Sequence, residues 1–202
     1  MPKLLLATKN AAKVQEYLLL LRDLPFKLTN LAEEGIDTVV SETGDTLEQN
    51  AAIKAAAYAS ISNLLALADD SGLEVDALGG EPGVLSARYA GADASDEERV
   101  EWLLARLEGI PWGKRKARFR CVIAIVWPEG QVELCQGECP GIIALNPKGN
   151  DGFGYDPIFY LPHLGKTMAE LSIEEKNKVS HRGKAAQKAR EMLLKTAIGM
   201  KK

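Results

Sequence analysis

From Leu64 to Ala68 apolar residues run together, and Asp69, Asp70, Ser71 and Gly72 follow at once. The apolar run reads as a short strand buried on both faces. Paired acids directly after it put charge at the carboxyl end of the strand, the place where open α/β sheets bind ligands. Two adjacent carboxylates repel each other, and a metal ion or a raised pKa is the usual resolution. An Asx-type turn that closes the strand is the other reading, since Asp, Ser and Gly are all common turn residues.

Strands and helices alternate before this stretch. Lys3 to Ala7 is an apolar strand, and Thr8, Lys9, Asn10, Ala11, Ala12 and Lys13 turn into a helix that runs to about Arg22. Val14, Tyr17, Leu18 and Leu21 form its apolar stripe. A helix start after a strand presents unpaired N–H groups and the positive end of the dipole, which attract anions. Lys13 adds a full charge there, while Asn10 by itself reads as a simple cap. No GxxxxGK[ST] loop exists, so this is not a P-loop chain. A second strand is expected over Phe26 to Leu31, then an acidic loop through Glu33, Glu34, Asp37 and Glu42. Thr46 and Gln49 make a capping box that opens a helix to about Ser60. Asn50 and Lys54 share one face of it. That helix leads into the Asp69-Asp70 strand, so the pair is a candidate for the same site, with a solvated face as the alternative.

Glycines and a proline between Gly72 and Gly91 mark turns and the most natural lobe boundary. Ser95 and Glu98 form another capping box, for a helix to about Leu107. A strand from about Ala117 to Trp127, a turn at Pro128-Glu129-Gly130 and a partner from Gln131 to Gly137, continuing through Ile142-Ile143-Ala144, suggest an antiparallel hairpin that extends the sheet. The expected fold is therefore α/β, a long mixed central sheet flanked by helices, in one domain over residues 1–202 with two lobes.

Composition limits the partners. A net charge of −3 over 202 residues argues against a protein that grips a long nucleic acid by its backbone. A small phosphate-bearing ligand needs only a few local lysines. The three cysteines Cys121, Cys135 and Cys139 read as reduced thiols, with nothing to complete a zinc set. No apolar run approaches membrane length, and a cytoplasmic protein is expected.

In the last third, Gly149 to Pro157 presents Phe153 and Tyr155 between glycines, a loop suited to stacking on flat rings such as nucleobases. Ser172 to Lys176 caps a short helix. Ser180-His181-Arg182 then opens the C-terminal one, which carries Ala185, Ala189, Met192 and Leu193.

Six stretches in this order carry a resemblance. They are Leu6 to Asn10 with Lys13; Asn50-Ala51 with Lys54; Ala68 to Leu73; Pro82-Gly83 with Ser86 to Tyr89; Phe153 to Pro157; and Ser180 to Arg182. Across nearly the whole chain, Leu4 to about Ala189, it resembles the inosine triphosphate pyrophosphatase family. The resemblance implies a mixed α/β fold with two lobes around an active-site cleft, usually homodimeric. It implies Mg²⁺-dependent hydrolysis of inosine, deoxyinosine and xanthosine triphosphates to the monophosphate and pyrophosphate. Asp70 matches the family's catalytic base and metal-associated aspartate, with Asp69 beside it. Thr8, Lys9, Asn10, Ala11, Ala12, Lys13 and Lys54 match triphosphate-binding positions, Asn50 lies in the adjoining motif, and Ser71 matches a substrate contact. Phe153, Gly154, Tyr155 and Asp156 match the base-binding loop, Lys176 a nucleotide-binding lysine, and His181 with Arg182 the purine-reading pair. Where many relatives have Glu before the Asn-Ala, this chain has Gln49. Glu42 is the nearest acid for a second metal ligand, with Ser41 the other occupant of that slot. A pyrophosphatase for other modified nucleotides and a non-catalytic nucleotide-binding protein are the alternatives.

Overall fold

Side-chain caps start four helices in the computed structural model, which describes residues 1–199. Asn10 caps α1 (Ala11–Leu20) by accepting from the Lys13 N–H, and Thr46 caps α2 (Leu47–Ser62) by accepting from Gln49. Ser95 and Ser172 close full capping boxes with Glu98 and Glu175 at α3 (Asp96–Arg106) and α4 (Ile173–Val179). α5 (His181–Gly199) follows directly on α4. At Thr46 the box is incomplete, because the Gln49 side chain accepts from the Asp45 N–H instead.

The strands are β1 (Lys3–Leu6), β2 (Lys27–Asn30), β3 (Leu65–Val75), β4 (Pro82–Gly83), β5 (Lys116–Val126), β6 (Val132–Ile143), β7 (Phe159–Leu161) and β8 (Lys166–Thr167). They form one sheet in the order β2-β1-β3-β5-β6-β7-β8, with β4 paired to β3. β1 runs parallel to β2 and β3, while β4, β7 and β8 pair antiparallel, so the sheet is mixed as expected. Leu4, Leu5 and Leu6 are all fully buried, which requires cover on both faces of β1.

The strand expected after the Pro128–Gly130 turn is present as β6, continuous from Val132 to Ile143. Two expectations change. The strand at Leu64–Ala68 does not end at the acids: β3 carries Asp69 and Asp70 in its middle and continues to Val75. On α1, Leu18 of the expected apolar stripe is 37% exposed, whereas Glu16 is 3% exposed. The site explains that inversion below.

Two compact units are present; one boundary, between Asp70 and Ser71, adjoins the expected Gly72–Gly91 region, and the chain crosses again after Arg120, Gly137 and His181. The first comprises Met1–Asp70, Cys121–Gly137 and the segment from Arg182 onward; the second comprises Ser71–Arg120 and Glu138–His181. Each has its own core. In the first unit Leu4, Leu6, Tyr17, Leu67, Ile123, Ile125 and Ala185 pack together. In the second, Leu73, Leu103, Phe119, Ile158, Phe159 and Met168 do. Among the described residues no helix is long and apolar enough to cross a membrane.

Candidate active site

Alternation along β3 sends the side chains of Asp69 and Asp70 to opposite faces of the strand. Asp69 turns toward cations of the first unit. Its Oδ2 lies 3.0 Å from Lys13 Nζ and 3.4 Å from Arg182 Nε, and it accepts a weak hydrogen bond from the Cys121 thiol at 3.7 Å. Burial alone would raise this carboxyl, but Lys13, Arg182 and Lys54 outweigh it and hold Asp69 well below the usual carboxylate range. The same burial, with Asp69 adjacent, pushes the Cys121 thiol up to about 12, so Cys121 stays protonated.

Asp70 faces different company. Lys54 Nζ lies 3.9 Å from its Oδ1, 2.5 Å from Glu42 Oε1 and 2.6 Å from the Asp69 backbone carbonyl, to which it donates. Burial raises the Asp70 carboxyl and Glu42 raises it further; Lys54, Lys13 and the Asn50 side chain pull it down, leaving it at about 6. Asn50 is fully buried, and its Oδ1 accepts from the Gly44 N–H at 2.8 Å. Asn50 and Lys54 of α2 thus belong to the Asp69-Asp70 site and are not a solvated face.

The turn into α1 is built from its own side chains. Thr8 Oγ1 accepts from the Asn10 N–H at 3.2 Å, Asn10 Oδ1 accepts from the Lys13 N–H at 3.0 Å, and Lys9 Nζ donates to the Asp37 carbonyl at 2.7 Å. Asn10 is a cap, as its residue type alone suggested. Ala11 and Ala12 form the first turn, whose N–H groups have no acceptor within a helix. Ala11 is exposed and Ala12 half-buried.

Within the second unit the Phe153–Asp156 loop is held from several sides. Tyr155 is 4% exposed and its hydroxyl donates to the Ser86 carbonyl at 2.9 Å. The Gly154 N–H donates to Asp96 Oδ2 at 2.6 Å. Asp156 Oδ2 accepts from the Phe153 N–H at 2.9 Å and from Lys176 Nζ at 2.6 Å. Lys176 Nζ also lies 4.5 Å from the centre of the Phe153 ring, a cation–π contact. Gly152 has φ +79°, and a Cβ there would strike the Asp156 carboxylate, so only glycine lets the loop close over that acid. Lys176 is 2% exposed. The described contacts of this expected nucleotide-binding lysine are with the loop itself. His181 is 4% exposed and stacks on Phe119, ring centres 4.6 Å apart and 13° from parallel. Ser71 lies on β3, next to Gly72, whose hydrogen faces the Gly83 carbonyl across the β3–β4 pair.

Sequence reasoning missed Glu16 and Asp96, and named Ser86 only within one of the resembling stretches. Arg182 Nη1 donates to Glu16 Oε2 at 2.7 Å, and that pairing is what buries Glu16 on α1. Ser86 Oγ donates to the Gly83 carbonyl at 2.5 Å and accepts from the Leu73 N–H at 2.8 Å. Asp96 pairs with Arg99 as well as with Gly154, and those contacts hold its carboxyl below the usual range against burial. For Asp96 a signal existed: it lies one residue inside a capping box. For Glu16 there was none, since its partner is 166 residues away.

Mg²⁺ can be tested against the donors present. Among the described residues no group of three or more His, Cys, Asp or Glu gathers as a metal cage. Asp69 is taken up by Lys13 and Arg182. Asp70 and Glu42 are different: both face one ammonium, and Glu42 helps raise the Asp70 pKa. Two hard oxygen donors that repel each other fit Mg²⁺, which binds through one or two carboxylates and fills its remaining positions with phosphate and water.

The Ham1 family model matches residues 4–192. The chain is 51% identical over 191 residues to a dITP/XTP pyrophosphatase of Desulforamulus reducens, covering 95% of each chain. It is 52% identical over 187 residues to a dITP/XTP pyrophosphatase of Yersinia pseudotuberculosis, covering 92% of this chain and 94% of that one. The solved structure of a HAM1 protein from Coxiella burnetii superposes with a TM-score of 0.87 at 44% identity, covering 96% of this chain and all of that one.

Proposed function

The chain belongs to the Ham1 family, and from that premise we propose that it is a nucleoside triphosphate pyrophosphatase acting on purine nucleotides outside the common four: inosine, deoxyinosine and xanthosine triphosphates. The observation that carries the reading is Asp70, a buried carboxylate raised to about 6 beside Lys54 and within the field of Lys13. A general base works best with a pKa near the working pH. A triphosphate of about four negative charges finds two ammonium groups and a helix start in the same unit.

In the proposed reaction a water oxygen attacks the α-phosphorus and its proton passes to the Asp70 carboxylate. The bond from the α-phosphorus to the α–β bridging oxygen breaks, and its electron pair leaves with pyrophosphate. Lys13, Lys54 and the N–H groups at Ala11 and Ala12 offset the phosphate charge, with Thr8, Lys9 and Asn10 shaping the turn. Asp70 and Glu42 would hold Mg²⁺, with Asp69 supporting Asp70; when bound, the ion supplies charge that polarises the α-phosphate. The Cys121 thiol that meets Asp69 stays protonated and is no nucleophile, which favours direct attack by water.

On the base side, Phe153 offers a ring face for stacking, Gly154, Tyr155 and Asp156 shape the loop, and Lys176 braces it. Ser71 is a further substrate contact. His181 is proposed to donate to the 6-oxo group of hypoxanthine and xanthine; Arg182, the other half of the pair the resemblance implies, has its guanidinium on Glu16 and Asp69 and is proposed to act on the phosphate side. Adenine presents a donor at that position, and each buried donor–donor mismatch costs about 1–3 kcal/mol. A homodimer in the cytoplasm completes the reading, supported by the family resemblance and the composition.

The test is release of pyrophosphate from inosine, xanthosine and deoxyinosine triphosphates and from the four common nucleotides, with and without Mg²⁺. Pyrophosphate from the first three, dependent on Mg²⁺, is expected. Orthophosphate as the first product, or equal rates on adenosine triphosphate, would overturn the reading.

A further inference from the structure

Glu16 is a buried acid on a polar stretch of α1, where a glutamate ordinarily faces water. It stands one turn after Lys13, so the two project from the same side of the helix. Its Oε2 accepts from Arg182 Nη1 at 2.7 Å, and the other edge of that guanidinium, Nε and Nη2, lies 3.4 Å from Asp69 Oδ2. Lys13 Nζ meets the same Asp69 oxygen at 3.0 Å. Four charges of alternating sign therefore run Glu16, Arg182, Asp69, Lys13, two acids and two cations that cancel. All four belong to the first unit, on α1, β3 and α5.

A buried ion pair rarely adds net stability over apolar side chains of the same shape, so stability alone gives little reason for four buried charges. A geometric role does. Guanidinium is a rigid planar fork: fixing one nitrogen on Glu16 fixes the edge that faces Asp69. Glu16 also balances charge, giving Arg182 a second carboxylate besides the Asp69 one that it shares with Lys13.

We propose that Glu16 is a positioning residue, which holds Arg182 edge-on to Asp69 and so keeps Asp69 and the Lys13 ammonium in place for the triphosphate. The inference rests on the function proposed above and adds to it a residue that touches no substrate.

The experiment is a double-mutant cycle on kcat and KM for inosine triphosphate with Mg²⁺, using Glu16→Gln, Arg182→Gln and the pair. Glu16→Gln keeps an acceptor for Nη1 and removes only the charge. It is expected to lower kcat/KM tenfold or more, chiefly through a higher KM, because the Lys13 ammonium is what it disturbs. In the Arg182→Gln background the same change should cost less than twofold, since the residue through which Glu16 is proposed to act is gone. A purely structural role would lower Tm while kcat/KM of the folded enzyme stayed within twofold, or would give losses that multiply in the pair; either result overturns the proposal. Should Glu16→Gln fail to fold, Glu16→Asp carries the test: it keeps the charge at shorter reach, and a KM raised at least threefold is expected, an unchanged KM being the contrary result. An inactive wild type would be seen before any variant is made; it would remove the proposed function, and this inference with it.

Discussion

Asp70 follows Asp69 directly on β3, yet the pKa values of the two carboxylates are pushed in opposite directions. Asp69 is kept ionised by Lys13 and Arg182, and Asp70 is lifted to about 6 by burial and by Glu42 against the pull of Lys54. The alternation of a strand separates them: one residue of advance exchanges one set of neighbours for the other. The first acid is suited to holding cations in place and the second to taking a proton.

The raised pKa of Asp70 means that its ionised form weakens the fold. With a folded value above the ordinary 3.8, its favourable contribution is complete below about pH 4 and is lost as pH rises through 6. Asp70→Asn removes that loss, so the variant should be inactive but more stable than wild type at pH 8, by at most about 3 kcal/mol, with the gain vanishing toward pH 4. Urea unfolding at the two pH values, without divalent ions, checks this. A variant less stable at pH 8, or one with near-normal turnover, contradicts it.

Lys54 is the nearest charge that keeps the Asp70 pKa from rising further, and it also ties Glu42 to the Asp69 carbonyl. Lys54→Met should weaken substrate binding and move the acid limb of the kcat/KM profile upward by about 1 pH unit or more. A limb that stays in place would mean that another group than Asp70 sets it.

The Asp156–Lys176 pair is buried on both sides, at 3% and 2% exposure. Asp156→Asn takes the carboxylate away from a buried ammonium and also weakens the acceptor for the Phe153 N–H, so a loss of about 3–5 kcal/mol is expected. Adding Lys176→Met should return part of that loss, because no charge then remains buried. Equal instability of the single and double variants in urea would show that the pairing is not what holds the loop.

What could be read from the chain alone was what depends on near neighbours. Asn10, Thr46, Ser95 and Ser172 cap helices because capping is settled within four residues. The length of β3 was hidden, since Asp-Asp-Ser-Gly reads as a turn unless cations arrive from elsewhere; Arg182, 113 residues on, is one that does. The same distance effect put Leu18 on the expected core face and Glu16 off it. Asp70, Asn50 and Lys54 were recognisable as a group because the helix and the strand that carry them are consecutive. Lys176 came only from the resemblance, as an expected nucleotide-binding lysine; its place as the brace beneath Phe153 was hidden, because that depends on how the loop folds back.

Placing both acids in mid-strand has a consequence for how the protein loses activity. Loops open and fray at small cost, whereas a strand inside a sheet is released only when the sheet comes apart. The proposed base therefore sits on one of the last segments to exchange its amide hydrogens. On heating, turnover should persist up to the unfolding transition and disappear together with it.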